Sequence, residues 1–239
     1  MNIGILECDQ VDTDLIAAHG TYSEMYKKLL HQAAPNLNFT VYDVRNDALP
    51  ISMDAADAYL ITGSRHGVND NLSWIHSLEE FIRCLHAARK KVIGICFGHQ
   101  LIAKALGGKV VKSTKGWGIG MSINKITQHK PWMFPPLEEF NLIMSHQDQV
   151  IEIPSEAEVL ATSEFCPFYM LQIGDNFFTV QGHPEFSKIY FQSLIEARKQ
   201  KFDQKLYEQG LKSLQLRCDD GVFARWVVNF LIEKPKEDS

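Results

Sequence analysis

The stretch V-I-G-I-C-F-G-H-Q, residues 92–100, decides how the first half of the chain folds. It places Cys96 between Gly94 and Gly98 at the end of an apolar, β-rich run, just before a helical pattern. G-x-C-x-G at a strand-to-helix turn is typical of a nucleophile elbow, because the glycines let the backbone turn tightly. The alternative is that Cys96 is a small apolar residue filling a tight corner. The rest of the chain has to decide between these interpretations.

The segments around this stretch alternate between strand and helix. Short apolar runs at 2–8, 38–44, 58–63 and 92–96 predict strands, and amphipathic patterns predict helices between them. This alternation predicts an α/β fold, with an open, mostly parallel twisted sheet of the flavodoxin-like type and helices on both faces. From residue 109, short β-rich segments with polar breaks predict antiparallel strands added to that sheet.

The C-terminal part, from Phe186 to Lys234, has the spacing of two or three helices. The 239 residues contain no internal repeat and no convincing linker, so one folded unit with a sizeable core is the simplest prediction. We expect a main domain over residues 1–190 and a helical extension over 191–239 that packs on the same domain.

Composition excludes several classes of function. The net charge of −5 offers no basic surplus to neutralise phosphates, so no nucleic-acid partner is expected. No uncharged apolar run approaches the roughly 18 residues that span a membrane, and the N-terminus lacks the features of a signal peptide. The five cysteines are scattered, with no C-x-x-C pair, which predicts no structural zinc, no disulfide framework and a reduced, cytoplasmic setting.

A thiol nucleophile needs a base, and V-Q-G-H-P-E at 180–185 offers one. His183 ends a β-rich run, so its ring can emerge at the same carboxyl edge of the sheet as Cys96. Glu185 lies two residues on, and in an extended segment these positions face the same side. The carboxylate could then hold the imidazole in its useful tautomer. Taken alone, the segment could equally be a strand end with ordinary polar residues.

Together these motifs resemble the class I, or triad-type, glutamine amidotransferase family. The resemblance covers roughly residues 1–190. It is closest to the stand-alone group similar to the glutaminase domain of GMP synthase. The motifs that carry it, in order, are I-T-G-S (61–64), G-I-C-F-G-H-Q (94–100), G-W-G-I-G (116–120), S-H-Q-D-Q-V (145–150) and G-H-P-E (182–185).

The resemblance implies that glutamine is hydrolysed at its side-chain amide through a γ-glutamyl thioester. Cys96 matches the nucleophile, His183 the general base and acid, and Glu185 the orienting acid. The resemblance also implies a role for three further positions in an oxyanion hole and three in substrate binding. The oxyanion donors would be the backbone N–H of Gly63 or Ser64 together with that of Phe97, and the substrate contacts would be Gln100, Ser145 and His146.

One departure stands out, because Gly63-Ser64-Arg65 replaces the two glycines and proline of many relatives. The sequence has no G-x-x-x-x-G-K-[ST] loop, so no ATP, other cofactor or metal is expected.

The substrate would be glutamine or another small γ-glutamyl compound, and a separate synthetase chain would be the partner if ammonia is passed on. Two alternatives remain open at this point. The same triad could cleave γ-glutamyl amides with larger leaving groups, as a γ-glutamyl peptidase or hydrolase does. A binding or regulatory protein could also retain the fold, but the complete Cys, His and Glu set argues against this. Proteins of the DJ-1 and PfpI group share an elbow cysteine but lack the later G-H-P-E.

Overall fold

The computed structural model describes residues 1–233; the charged tail at 234–239, and with it Lys234 of the predicted last helix, lies outside them. The strands are β1 (Asn2–Glu7), β2 (Asn38–Asp43), β3 (Ala58–Ile61), β4 (Lys91–Ile95), β5 (Lys109–Lys112), β6 (Gly118–Ile126), β7 (Glu139–His146), β8 (Asp148–Glu152), β9 (Ala157–Thr162), β10 (Met170–Ile173) and β11 (Phe177–Val180). The α-helices are α1 (Thr13–His19), α2 (Tyr22–His31), α3 (Ser73–Ala87), α4 (Phe97–Ala105), α5 (Lys188–Ala197), α6 (Gln204–Ser213) and α7 (Asp220–Ile232).

The main sheet has nine strands in the order β2-β1-β3-β4-β11-β10-β9-β6-β7. The first five of these, from β2 to β11, are parallel, and the remaining four are antiparallel. The predicted fold class is therefore confirmed. Because β3, β4 and β11 run in the same direction, the residues that follow them meet at one edge of the sheet. Gly63, Cys96 and His183 all follow these strands.

Alternating side chains of the parallel strands enter two separate hydrophobic clusters. Ile93 and Ile95 belong to one cluster, and Val92 belongs to the other. Successive side chains of a strand point to opposite faces, so β1, β3, β4 and β11 are buried on both faces and read as largely apolar runs. The edge strand β2 is largely exposed. Helices α2, α5 and α7 contribute to the first cluster, and α3 and α4 to the second.

Two strands depart from the expectation that all β structure joins the main sheet. The β5 and β8 strands pair with each other as a separate two-stranded antiparallel sheet. A Cβ on Gly108 would lie 2.5 Å from the carbonyl oxygen of Glu152, so the glycine lets the chain enter β5 close against β8. The sequence pattern does not predict β8, because its segment D-Q-V-I-E has only two apolar residues.

The C-terminal helices pack on the main sheet. In α7, Trp226 contacts Phe140 of β7, with ring centroids 5.6 Å apart, and α6 lies against β6. The domain boundary expected at residue 190 falls inside α5, and the division of the chain at that point stays a prediction. Within residues 1–233, no helix has both the length and the apolar character needed to cross a membrane.

Candidate active site

Cys96 occupies a strained turn between β4 and α4. Its φ of +51° and ψ of −97° lie in a region that non-glycine residues rarely adopt. Gly98 makes the turn feasible, because a Cβ there would lie 2.5 Å from the carbonyl oxygen of Ile61 in β3. A Cβ on Gly94 would lie 2.6 Å from the Ile102 side chain. The two glycines let the first turn of α4 lie directly on the sheet, which projects Cys96 from the strand end. Strain of this kind tends to cluster at functional sites.

His183 and Glu185 form a buried pair beside this turn. The Nδ1 of His183 lies 2.7 Å from Oε1 of Glu185, and its backbone N–H donates to the carbonyl of Ile143. Because an ionised carboxylate only accepts hydrogen bonds, Nδ1 carries a proton and Nε2 is left for other partners. The ring also stacks on Phe186, with centroids 4.1 Å apart. Backbone, carboxylate and aromatic ring together fix the orientation of the imidazole.

The imidazole lies close to the cysteine. A Cβ built on Gly63 would lie 2.9 Å from Cε1 of His183 and 3.7 Å from Cβ of Cys96, so the three residues converge. Burial lowers the pKa of His183, but the negative charges of Cys96 and Glu185 outweigh it and raise that pKa above its usual value. His183 is thus placed to hold its proton beside Cys96, with Glu185 fixing its ring.

Tyr26 lies behind Glu185 and was not singled out by the sequence motifs. Burial raises the pKa of the Tyr26 hydroxyl, and the Glu185 carboxylate raises it further. The N–H of Gly63 acts in the opposite direction on the same hydroxyl. Within the described residues, neither the Tyr26 hydroxyl nor Oε2 of Glu185 has a hydrogen bond of good geometry. The phenol and the second carboxylate oxygen are thus two buried polar groups that influence each other without a well-formed hydrogen bond.

A chain of two glutamine amides also reaches Cys96, through a residue that the sequence motifs did not indicate. Nε2 of Gln181, which is fully buried, donates to Sγ of Cys96 at 3.5 Å. Its Oε1 accepts from Nε2 of Gln100 at 3.0 Å, and that same nitrogen donates to the backbone carbonyl of Asp148 at 2.7 Å. The amide nitrogen of Gln100, a predicted substrate contact, is therefore used in hydrogen bonds within the protein.

The loop after β3 presents the predicted oxyanion donors. Within residues 1–233, the backbone N–H groups of Ser64 and Phe97 donate to no protein acceptor, whereas that of Gly63 is turned to Tyr26. Arg65 holds this loop, because its Nε lies 2.9 and 3.0 Å from the two carboxylate oxygens of buried Asp9. Its backbone N–H donates to Asp9 as well. The departure Gly63-Ser64-Arg65 therefore creates an anchor for the loop.

Ser145 and His146, the other predicted substrate contacts, end β7 at the same edge. Both line a cleft of about 280 Å³ that also contacts Cys96, Phe97 and Gln100. His146 is buried, and its Nδ1 lies 3.1 Å from the carbonyl oxygen of Asp148. Burial lowers the pKa of His146 to about 4, so this imidazole is neutral near pH 7. Of the predicted site residues, this cleft is lined by Ser64, Cys96, Phe97, Gln100, Ser145 and His146. Gly63, His183 and Glu185 line a smaller cavity that Ser64 and Ser145 also border.

Of the other cysteines, Cys8 and Cys166 are buried and Cys218 is half-buried. Burial raises the pKa of Cys8 far above its usual range, and it raises the pKa of Cys166 and of Cys218 to about 12. These thiols stay protonated at neutral pH and are poor nucleophiles. Among the described residues, no group of three or more His, Cys, Asp or Glu side chains is placed to hold a metal ion.

Residues 21–198 match the family model of class-I glutamine amidotransferases. The chain belongs to this family. A Schizosaccharomyces pombe protein named for its likeness to glutamine amidotransferases is 29% identical over 97% of this chain and 99% of its own length. A glutamine amidotransferase structure from Thermotoga maritima covers 97% of this chain and 99% of its own with a TM-score of 0.75. At 18% identity, that likeness shows the fold.

Two other relatives bear more specific names. Gamma-glutamyl peptidase 3 of Arabidopsis thaliana is 39% identical over 66% of this chain and 64% of its own length. The match thus spans slightly less than two thirds of that peptidase. One of the subunits of the glutamine-hydrolysing GMP synthase of Methanococcus vannielii is 39% identical over 44% of this chain and 55% of its own length. The family is thus enzymatic, and its members differ in the named reaction.

Proposed function

We propose that the chain hydrolyses the γ-amide bond of glutamine or of a related γ-glutamyl compound through a thioester on Cys96. The convergence of Cys96 with the buried His183–Glu185 pair carries this proposal. An amide is a poor electrophile, and a thiolate nucleophile divides its hydrolysis into two easier steps. With glutamine the products are glutamate and ammonia.

In the first step, Sγ of Cys96 attacks the γ-carbonyl carbon. The carbonyl oxygen becomes an oxyanion facing the free N–H groups of Ser64 and Phe97, and the amide nitrogen takes a proton from Nε2 of His183. The C–N bond then breaks, leaving the thioester and a free amine. In the second step, His183 accepts a proton from water, the resulting hydroxide attacks the thioester, and the C–S bond breaks. Glutamate leaves and the thiolate is regenerated.

The anchored oxyanion loop supports activity without a partner. In an amidotransferase whose activity depends on binding a synthetase partner, we expect this loop to be free to reorient. Here the carboxylate of Asp9 binds both the side chain and the backbone of Arg65, and the Ser64 hydroxyl donates to the carbonyl of Cys8 at 2.9 Å. A partner synthetase remains an option, by analogy with the GMP synthase relative. Nothing in the proposed reaction requires ATP or another cofactor, and a cytoplasmic setting would suit a thiolate enzyme.

A second candidate is γ-glutamyl peptide cleavage, and the shape of the site favours it. The cleft that Cys96 lines extends as far as Arg198 and Lys201. Glutamine, whose leaving group is ammonia, has no atoms to place there. The likeness to a plant protein named gamma-glutamyl peptidase points in the same direction.

Glutamate release from glutamine and from γ-glutamylglycine, each with the pure chain and without nucleotide, tests the proposal. We expect turnover of at least one substrate, and faster dipeptide cleavage would select the peptidase. Cys96→Ser should abolish turnover, whereas Cys84→Ser, which alters an exposed cysteine away from the site, should not. Turnover by Cys96→Ser would overturn the proposal. A wild-type chain that hydrolyses no γ-glutamyl compound would favour a binding protein.

A further inference from the structure

The segment that follows α5 forms one wall of the active-site cleft. Arg198 and Lys201 both line the cleft that contains Cys96, and the N–H of Lys201 donates to the carbonyl of Arg198 at 2.9 Å. Lys201 lies beyond the residues that match the family model. The C-terminal part of the chain therefore contributes to the catalytic cleft itself as well as to the core.

This wall carries positive charge that the protein leaves largely unpaired. Among residues 1–233, Arg198 pairs with one acid, Asp12, at a long N···O distance of 3.8 Å, and only a fifth of the Arg198 side chain is exposed. Lys201 has no ion pair among residues 1–233. Arg65, which also lines the cleft, is instead bound tightly by Asp9. A half-buried guanidinium and a nearby ammonium form a ready binding site for a carboxylate.

The wall is held in place by specific packing. Phe202 meets Trp117, another cleft residue, edge to face with ring centroids 5.6 Å apart. The α6 helix that follows lies directly on β6, where the Met121 N–H donates to the Ser213 hydroxyl at 2.8 Å. A Cβ on Gly120 would lie 2.9 Å from the backbone of α6, so only glycine permits this approach. The cations are therefore presented by a packed segment.

Arg198 also lies on the side from which the leaving group departs. It borders a second, narrower cavity that His183 and Phe186 line and that Cys96 does not. His183 must protonate the leaving nitrogen, so the amine leaves toward this side. Asp148 and Lys112 lie on the α4 side of the cleft, where the charge of Lys112 acts on the Asp148 carboxyl. The two ends of the cleft thus carry separate charged groups.

We propose that Arg198 and Lys201 bind the free carboxylate of an amino-acid or peptide leaving group. This inference rests on the proposed function and names its substrate class: γ-glutamyl peptides with a free C-terminal carboxylate. A carboxylate on the leaving group neutralises cations that glutamine leaves unpaired. The C-terminal segment is then a determinant of specificity.

Comparison of γ-glutamylglycine with γ-glutamylglycinamide tests this inference, because the two share the scissile bond and differ in the distal charge. We expect the wild-type chain to favour the acid by about tenfold or more in kcat/KM, since hydrogen bonds to charged groups are worth about 1.5–3 kcal/mol. In the double variant Arg198→Gln/Lys201→Gln, this preference should fall to within about threefold, mainly through KM. Lys199→Gln removes a cation of the same turn that does not line the cleft, and it should keep the full preference.

Two outcomes overturn the inference. The first is a wild-type chain that cleaves acid and amide equally well, and the second is a double variant with the wild-type preference. If the chain still cleaves glutamine or γ-glutamylglycinamide under either outcome, the proposed function is supported although the inference fails. If the chain proves inactive, the proposed function fails. Calorimetric binding of both peptides to Cys96→Ser then decides the inference, which requires tighter binding of the acid than of the amide.

Discussion

Replacing Arg65 by methionine tests whether the oxyanion loop is preorganised by its anchor. Arg65 is bound through Nε to both oxygens of Asp9, and its guanidinium also donates to the carbonyl of Gln10 and pairs with Asp12. Methionine keeps much of the stem and removes every one of these side-chain contacts. The loop would then be held by the Ser64 hydroxyl and by the backbone N–H of residue 65, which donates to Asp9.

The expected effect on stability is small and that on turnover is large. The Arg65 side chain is 43% exposed, so its ion pair contributes at most about 1 kcal/mol to the free energy of unfolding. Losing one oxyanion donor outright costs about 10²–10³ in kcat. Because the Ser64 hydroxyl still holds the loop, we expect a partial loss, with kcat lower by about 10-fold to 10²-fold. An interaction made only in the transition state lowers kcat and kcat/KM together.

Steady-state kinetics with the preferred substrate, alongside thermal unfolding, provide the measurement. Arg65→Lys keeps a positive charge near Asp9 but loses the contact of one side chain with both carboxylate oxygens. Its kcat should therefore lie between that of Arg65→Met and that of the wild-type chain. Arg45→Met is the matched control, since Arg45 pairs with Asp43 outside the catalytic cleft. A folded Arg65→Met chain with wild-type kcat would refute the reasoning, as would an effect confined to KM.

Three further predictions follow from the buried polar groups. Glu185→Gln should lower the pKa of His183, because one of the charges that raise it is lost. It should also reduce kcat less than His183→Ala does. A ¹³C NMR titration that shows an unchanged pKa for His183 in Glu185→Gln would contradict this. Gln181→Leu removes the hydrogen-bond donor to Sγ of Cys96 and should slow alkylation of Cys96 by about tenfold. Mass spectrometry can follow the alkylation, and an unchanged rate would count against a role for this contact. Burial lowers the pKa of His99 to about 3 and of His146 to about 4. Between pH 6.5 and 4 the unfolded chain therefore binds protons that the folded chain does not. The free energy of unfolding should decrease as the pH is lowered, and at pH 5 it should be about 2 kcal/mol per histidine below its value at neutral pH. Urea unfolding of His146→Gln should show a weaker pH dependence over this window, and an equal slope would refute the assignment.

Most of the parallel half of the sheet could be predicted from sequence because its strands, except the edge strand β2, are buried on both faces. Such strands read as unbroken apolar runs, as V-I-G-I-C does, and the helices between them keep a clear amphipathic pattern. The strand ends also predicted that Cys96 and His183 would lie at the same edge of the sheet, whereas the place of Gly63 in the site came from the family resemblance. The short strand β8 escaped prediction because it packs few apolar residues and directly follows the polar end of β7.

The missed site residues share a different cause, which is contact over long sequence separations. Gln181 lies close to His183 in the chain, but its partner Cys96 is 85 residues away. Arg65 is 56 residues from Asp9, and nothing local indicates that the two meet. Tyr26 fits the apolar face of α2, so periodicity explains it as core. Local patterns specify elements and motifs, whereas these contacts depend on how the elements pack.

Labelling with a glutamine analogue that carries a diazo-ketone tests the central claim, that Cys96 is the nucleophile, most directly. The reagent binds as a γ-glutamyl compound and alkylates the attacking thiolate, and peptide mapping then identifies the modified cysteine. We predict that Cys96 alone among the five cysteines is labelled, because burial keeps Cys8, Cys166 and Cys218 protonated and the exposed Cys84 lies outside the cleft. Saturating glutamine or γ-glutamylglycine should slow the labelling. A label found mainly on Cys8 or Cys166, or an unlabelled Cys96 in folded protein, would contradict this claim.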